Sequence, residues 1–313
     1  MIKVCFLGTP EFAATHLSYL LSDANFQIVG VVSQPDRPAG RKMQLTPSAV
    51  KILALENKIP VLTPSHLRKE PEIFEEIKKW NADVAVVVAF GQILSQEFLD
   101  SFKFGAVNVH GSLLPKWRGA APIQRAIEAG DTVTGVCLQK MVKKLDAGPL
   151  IGERRIKLEN HATATDLYSQ LALLGCELLK TELVEYIHAS RSLTVQDEAL
   201  VTLAPKIEKE ESLIQWTDTA EKIHNKVRAF SMGPGTYCLF HGKRLKIHET
   251  KVVDSAASKS QPGYVVAADS EKLFLQTASG ILALLIVQPE SKAKIAISDF
   301  LKSHPLKTGD LFA

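Results

Sequence analysis

Asp83-Val84-Ala85-Val86-Val87-Val88-Ala89-Phe90 is an almost unbroken apolar run. A strand with one wet face alternates polar and apolar residues, whereas a strand covered on both faces does not. The run therefore predicts a central strand of a largely parallel sheet, and the stretches around it agree. Ile2 to Leu7 is a short β run, and Glu11 to Leu21 has helical spacing behind Pro10, a residue suited to a first helical turn. Phe26 to Val32 and Gly105 to Val109 read as further strands, and Ser48 to Glu56 and Ile73 to Trp80 as helices. Strands alternating with helices imply a doubly wound, Rossmann-like α/β sheet, whose ligands lie beyond the carboxyl ends of the strands.

After a long helix predicted from Ala164 to His188 the pattern changes. Ser190 to Pro205 has weak periodicity and reads as a connection. Thr219 to Phe230 is helix-like, and Arg244 to Ile247, Gly263 to Val266, Lys272 to Gln276 and Ile281 to Val287 are short β runs separated by turns. Such spacing suggests a small β-barrel. The expected organisation is an α/β domain over 1–189, a linker over 190–206 and a barrel domain over 207–313.

Composition bounds the function classes. With 313 residues, 46% hydrophobic and 23% charged, the chain has room for two globular domains. No stretch reaches the roughly 20 apolar residues of a membrane span, and the first residues run straight into a strand rather than a secretion signal. A cytoplasmic protein without a membrane partner is expected. Cys5, Cys137, Cys176 and Cys238 are far apart and form no ligand cluster, so no metal is expected and buried thiols fit best. A net charge of +3 does not by itself announce a nucleic-acid binder.

Two readings fail on their residues. Gly8-Thr9-Pro10-Glu11-Phe12 has one glycine where a dinucleotide fingerprint needs three, and Glu11 at the helix start repels phosphate. No G-x-S-x-G elbow exists and no cysteine sits in a loop beside a histidine. The chemistry is therefore expected to run without a covalent enzyme intermediate.

The informative stretch runs from Asn108-Val109-His110-Gly111-Ser112-Leu113-Leu114-Pro115 through Trp117-Arg118-Gly119 to Arg125. It starts at a strand end, and residues two apart on a strand point the same way. Asn108 and His110 would thus present an amide and an imidazole together. The turn Lys144-Leu145-Asp146-Ala147-Gly148-Pro149, after a strand from Val133 to Gln139, could return a carboxylate to His110. Acyl transfer to an amine uses these groups: donors for a tetrahedral oxyanion, a base near neutrality, and a carboxylate to orient it. Spacing alone leaves the plainer options open, with Asn108 and Asp146 as turn formers and His110 as a satisfied polar residue.

Asn108-x-His110-x-Ser112-Leu113-Leu114-Pro115 with Asp146-Ala147-Gly148 downstream resembles the folate-dependent formyltransferases. Gly8 to Ala13, Gln34 to Arg41, Trp117 to Arg125 and Gln196-Asp197-Glu198 are most similar to the branch that formylates methionine on charged initiator tRNA. The resemblance spans the chain and is strongest up to about Leu150. It implies 10-formyltetrahydrofolate as formyl donor, with Asn108 on the formyl oxygen, His110 as acid/base, and Asp146 setting the orientation and charge of His110. Ser112, Leu113, Leu114 and Pro115 would line the folate site, and the pterin would lie against Phe90, Gly91, Gln92 and Ile93. The loop from Asp36 to Lys42 would meet the tRNA acceptor arm through Arg37, Arg41 and Lys42. The barrel would be an OB-like module and the protein a monomer.

One departure is noted. Ser231-Met232-Gly233-Pro234-Gly235-Thr236-Tyr237 lacks the tryptophan-proline wording often found in the family, and fifteen Lys and Arg against twelve Asp and Glu from Lys206 on give weak charge support. No individual tRNA contact within the barrel follows from the sequence. The rival readings are a sugar-amine formyltransferase, a glycinamide ribonucleotide formyltransferase, which would lack the C-terminal hundred or so residues, and a tRNA-binding protein without activity. The other histidines, among them His16 and His224, have no partner motif and are expected to be surface or satisfied polar residues.

Overall fold

The computed structural model describes residues 1–39, 43–255 and 260–312. Strand β1 (Ile2–Gly8), helix α1 (Glu11–Ser22) and strand β2 (Phe26–Val32) open the chain. A hairpin of β3 (Arg37–Ala39) and β4 (Gln44–Thr46) follows, within and just beyond the stretch expected to be a plain loop. Next come α2 (Ala49–Glu56), β5 (Val61–Leu62), α3 (Pro71–Lys79), β6 (Val84–Val88), α4 (Gln96–Asp100) and β7 (Ala106–His110). The chain continues through β8 (Arg118–Gly119), α5 (Pro122–Glu128), β9 (Val133–Lys140), β10 (Leu150–Lys157), α6 (Ala164–Leu178), α7 (Val184–Ile187) and β11 (Leu203–Ala204).

Seven strands form one sheet in the order β10-β9-β7-β6-β1-β2-β5. The pairs from β7 through β6, β1 and β2 to β5 are parallel, and β9 runs antiparallel to β7. Every residue of β6 is buried, which is why its sequence shows no alternation. From β1 the chain winds outward to β2 and β5, then returns to β6 and β7 on the other side. That reversal puts the ligand crevice of such a sheet beyond the carboxyl ends of β1 and β6, at Gly8 and Val88.

Contacts group the described chain into two units. The first holds residues 1–122, 133–156 and 168–204, and the second holds 123–132, 157–167 and the chain from Pro205 onward. Residues 190–204, read from sequence as most of a linker, therefore pack with the first unit. Thr194 exchanges two backbone hydrogen bonds with Leu150 at 2.8 and 2.9 Å, and β11 pairs parallel with β8. Strands of two residues have no periodicity, so the sequence could not announce them.

The helix expected from Ala164 to His188 is interrupted by one π-helical turn over Leu179–Leu183. The widened turn sets Glu182, 5% exposed, against Arg154 at 2.8 Å and in an ion pair with Arg191. Gly152 leaves room for it, since a Cβ there would stand 2.8 Å from Glu182 Cγ.

The second unit is built on an antiparallel sheet of β12 (Thr236–Phe240), β13 (Lys243–Asp254), β14 (Val265–Ala268), β15 (Leu273–Gln276), β16 (Ile281–Pro289) and β17 (Ile295–Ala296). The path runs β12-β13-β16-β15-β14, with β17 on β16, and bridges at Leu213–Tyr237 and Tyr264–Leu311 extend its ends. Register shifts along β13 bend the sheet, as bulges do. Helices α8 (Ala220–Ala229), capped by Thr219, and α9 (Ile297–Ser303) contribute Ile223, Val227 and Phe300 to a core shared with Leu245, Leu284 and Phe312.

His16 is fully buried on α1, where its Nδ1–H donates to the Phe12 carbonyl at 2.7 Å and Nε2 has no partner. It packs against Gly175, where any side chain would collide with the ring. Burial pushes its pKa from 6.5 down to about 4. Because the unfolded chain takes up this proton first, stability falls as pH drops from 6.5 towards 4, by on the order of 3 kcal/mol in all. Thermal unfolding of His16→Leu across that window should show a shallower acid-side decline than the parent. Parallel curves would remove His16 from the acid response.

Candidate active site

Antiparallel pairing of β7 with β9 sets Asn108 opposite Gln139 and His110 opposite Cys137. Asn108 and His110 are 9% and 6% exposed, so both are held by packed strand rather than by a loop. Beyond His110 the chain turns through Gly111 to Lys116. Ser112, fully buried, ties this turn by donating from Oγ to the Lys116 carbonyl at 2.7 Å. The turn delivers the Trp117 carbonyl to His110 Nε2 at 2.9 Å.

Asp146 closes the other side of the ring. Its Oδ2 lies 3.7 Å from His110 Nδ1, which is ion-pair range and longer than a direct hydrogen bond. The same Oδ2 accepts from the Gly119 N–H at 2.9 Å, and Oδ1 accepts from Gln139 Nε2 at 3.2 Å. Both ring nitrogens thus face acceptors, Nε2 a carbonyl and Nδ1 a carboxylate. An imidazole that takes up a proton here gives each N–H somewhere to point. Among the described residues no hydrogen bond engages the side chain of Asn108, so its amide remains available to a ligand.

Sequence reading did not assign roles to Gln139, the Gly119 N–H or the Trp117 carbonyl. Gln139 carried a signal, being a polar residue at the end of the apolar run Val136-Cys137-Leu138, and it is 1% exposed. Gly119 stands at φ 132°, and a Cβ there would lie 2.5 Å from the Ala204 carbonyl oxygen.

The residues expected at the folate fall into two groups. Ser112 and Leu114 are buried in the turn that supports His110, with the Leu114 N–H against Cys137 Sγ at 3.4 Å, while Leu113 and Pro115 are half-buried. At the end of β6, Phe90 is buried, Gly91 and Ile93 are exposed and Gln92 is half-buried. The Phe90 carbonyl accepts from Thr9 Oγ1 at 3.1 Å and Gln34 Nε2 at 2.8 Å, which joins the ends of β1 and β6 across the reversal. Gln92 is anchored to the Pro64 carbonyl and the Leu67 N–H, both at 2.8 Å. Gly91 needs its φ of +79° here, where Gln34 fills the side-chain space.

Of the expected tRNA contacts, Arg37 is exposed on β3 and donates to Gln34 Oε1, whereas Arg41 and Lys42 lie outside the described residues. Asp36 is paired with Lys51 at 2.8 Å. Among the described residues no cluster of three His, Cys, Asp or Glu could hold a metal ion. A groove lined by Leu150 to Glu153, Ser190 to Ser192 and Thr194 shares none of these site residues.

An amide and an imidazole two residues apart on β7, with a carboxylate 3.7 Å from the ring, are groups that acyl transfer to an amine can use. The formyl transferase family model matches residues 2–183, and the model for the formyl transferase C-terminal domain matches residues 206–305. The chain belongs to the formyl transferase family. It is 57% identical over 311 residues to a methionyl-tRNA formyltransferase of Bdellovibrio bacteriovorus, covering 99% of this chain and 98% of that protein. It is 41% identical over 303 residues to the methionyl-tRNA formyltransferase of Coxiella burnetii, covering 97% and 96%. A solved N-formyltransferase from Helicobacter canadensis, in complex with folinic acid and dTDP-3-aminofucose, shares the fold at TM-score 0.69 and 20% identity, covering 92% of this chain and all of that one.

Gly119→Ala tests how the carboxylate is held. Strain at this φ and the clash with Ala204 should cost about 1–3 kcal/mol in urea unfolding, together with a loss of activity. An alanine variant as stable and active as the parent would contradict the close approach.

Proposed function

We infer that the chain transfers the formyl group of 10-formyltetrahydrofolate to the α-amine of methionine on charged initiator tRNA. Two kinds of support meet here: relatives bearing this activity in their names match nearly the whole chain, and Asn108, His110 and Asp146 converge at the end of β7. No step needs a metal.

The amine attacks the formyl carbon and its nitrogen forms a bond to it as the carbonyl electrons move onto oxygen. Asn108 donates its unengaged amide to the resulting oxyanion. His110 removes the proton that the attacking nitrogen must lose. Collapse of the tetrahedral intermediate breaks the bond to N10 of the folate, and the proton held at His110 passes to that nitrogen. Asp146 faces the ring while it is charged, 3.7 Å from Nδ1. The pterin would lie on the loop Phe90-Gly91-Gln92-Ile93, beside the half-buried Leu113 and Pro115.

Arg37, with Arg41 and Lys42, would contact acceptor-arm phosphates, and residues 207–313 would supply an OB-like surface for the rest of the tRNA. We further propose a cytoplasmic monomer. Among the described residues no helix is long and apolar enough to cross a membrane. A sugar-amine acceptor draws support from fold alone, since the solved relative bound to a dTDP-amino sugar is 20% identical.

The direct test is transfer of labelled formyl from 10-formyltetrahydrofolate, with charged initiator tRNA and an amino-sugar nucleotide offered separately. Transfer to the tRNA is expected, and transfer to the sugar alone would overturn the reading. In the same assay Asn108→Ala should lower kcat on the order of 100- to 1000-fold, the usual loss for one oxyanion donor. A variant with parental kcat would remove Asn108 from the oxyanion site.

A further inference from the structure

We propose that Gln196, gripped by Arg118, is a positioning residue for the reaction, its amide fixing the Asp146 turn so that the carboxylate faces His110. The kinetic part of this proposal rests on the formyl-transfer reading. Asp146 has φ +45°, in the left-handed region that a non-glycine residue keeps only when its surroundings impose it. Gln196 supplies that constraint. Its Nε2 donates to the Asp146 carbonyl at 2.8 Å and to the Gly148 carbonyl at 2.7 Å. One amide group thus spans both ends of Asp146-Ala147-Gly148.

The amide is itself fixed from behind. Gln196 Oε1 accepts from Arg118 Nε at 3.1 Å and Nη2 at 2.8 Å, a two-pronged grip that only a guanidinium offers. Gln196 and Arg118 are 6% and 3% exposed. The buried guanidinium reaches an opposite charge at the surface, where Glu198 Oε1 accepts from it at 2.9 Å. Glu198 Oε2 accepts in turn from Lys144 at 2.6 Å, two residues before Asp146. Hydrogen bonds from Arg118 and Lys144 hold the Glu198 carboxyl down at about 2.

The same segment also places the other donor to the carboxylate. The Trp117 N–H donates to Thr202 Oγ1 at 2.9 Å, the Arg118 N–H to the Thr202 carbonyl at 2.9 Å, and the Ala120 N–H to the Ala204 carbonyl at 2.8 Å. These bonds bracket Gly119, whose N–H holds Asp146 Oδ2. Residues 196–204 therefore grip the catalytic turn from one side and the strand that faces it from the other. Glutamine is the side chain this requires: an N–H for each of two carbonyls, and an oxygen for the guanidinium. Methionine keeps the reach without the bonds. Glutamate keeps the bond to Arg118 but sets a carboxylate against two carbonyl oxygens.

The experiment compares the full-length parent with Gln196→Met and Gln196→Glu by crystallography and by kinetics with 10-formyltetrahydrofolate and charged initiator tRNA. In either variant the Asp146 turn should leave its left-handed conformation and Oδ2 should move away from His110. A displacement of this size should lower kcat on the order of 100-fold, with KM for both substrates within about threefold of the parent. A role confined to stability would lower Tm and leave kcat, KM and the Asp146 turn of the folded variant at the parent's. Should Gln196→Met fail to fold, Gln196→Glu carries the same readouts. An Asp146 turn unmoved in a folded variant, or kcat within about twofold of the parent, would overturn the proposal. If the turn moves but the parent itself does not formylate charged tRNA, the functional reading falls and the positioning role stands.

Discussion

A carboxylate with 12% of its side chain exposed persists only where donors surround it, and Asp146 has a backbone N–H, a glutamine amide and an imidazole on its two oxygens. Each hydrogen bond to such a charged group contributes about 1.5–3 kcal/mol, while leaving one unmade would cost at least as much. Its donors therefore have to be fixed, and much of the first unit serves that end. Pairing of β7 with β9 fixes Gln139 opposite Asn108. Pairing of β8 with β11 fixes the Gly119 N–H. The turn through Ser112 fixes the Trp117 carbonyl on the far side of the imidazole.

What remains unpaired is as telling as what is paired. His110, Asp146, Gln139, Arg118 and Gln196 all have hydrogen-bond or ion-pair partners, while the Asn108 amide has none among the described residues. The Asn108 amide is not among the sealed, unpartnered polar atoms, so solvent reaches it and a ligand oxygen can take the place of that water. In the proposed mechanism that ligand is the oxygen on which negative charge develops. Fixed dipoles aimed at developing charge need little reorganisation as the bond forms, and that is where their rate advantage arises.

Much of this was legible in the chain. The unalternating run from Val84 to Val88 announced a strand buried on both faces, and Asn108, His110 and Asp146 stood in a pattern shared with folate-dependent formyltransferases. The support around them was harder to read. Gln139 reaches Asp146 through a strand pairing, and Gln196 lies fifty residues from the turn it bonds. The two-residue strands β8 and β11 are too short for any period, so 190–204 looked like a connection while it was gripping the site. Ser112 and Leu114, expected beside the folate, are buried in the turn between His110 and Trp117, and burial inside a turn is not something the motif spells out. Local pattern reports which residues an element buries. It does not report which distant residue completes a hydrogen bond.

In the proposed mechanism the charge of Asp146, held in place, makes His110 competent. Asp146→Asn keeps the size of this side chain, removes its charge and turns one of its two acceptor oxygens into a donor, so kcat for formyl transfer measured across pH reads the loss of the carboxylate. A loss on the order of 10⁴-fold, comparable to that of the same substitution in other histidine–carboxylate pairs, is the expected result in a folded variant. An asparagine variant that turns over at the parental rate would contradict the account.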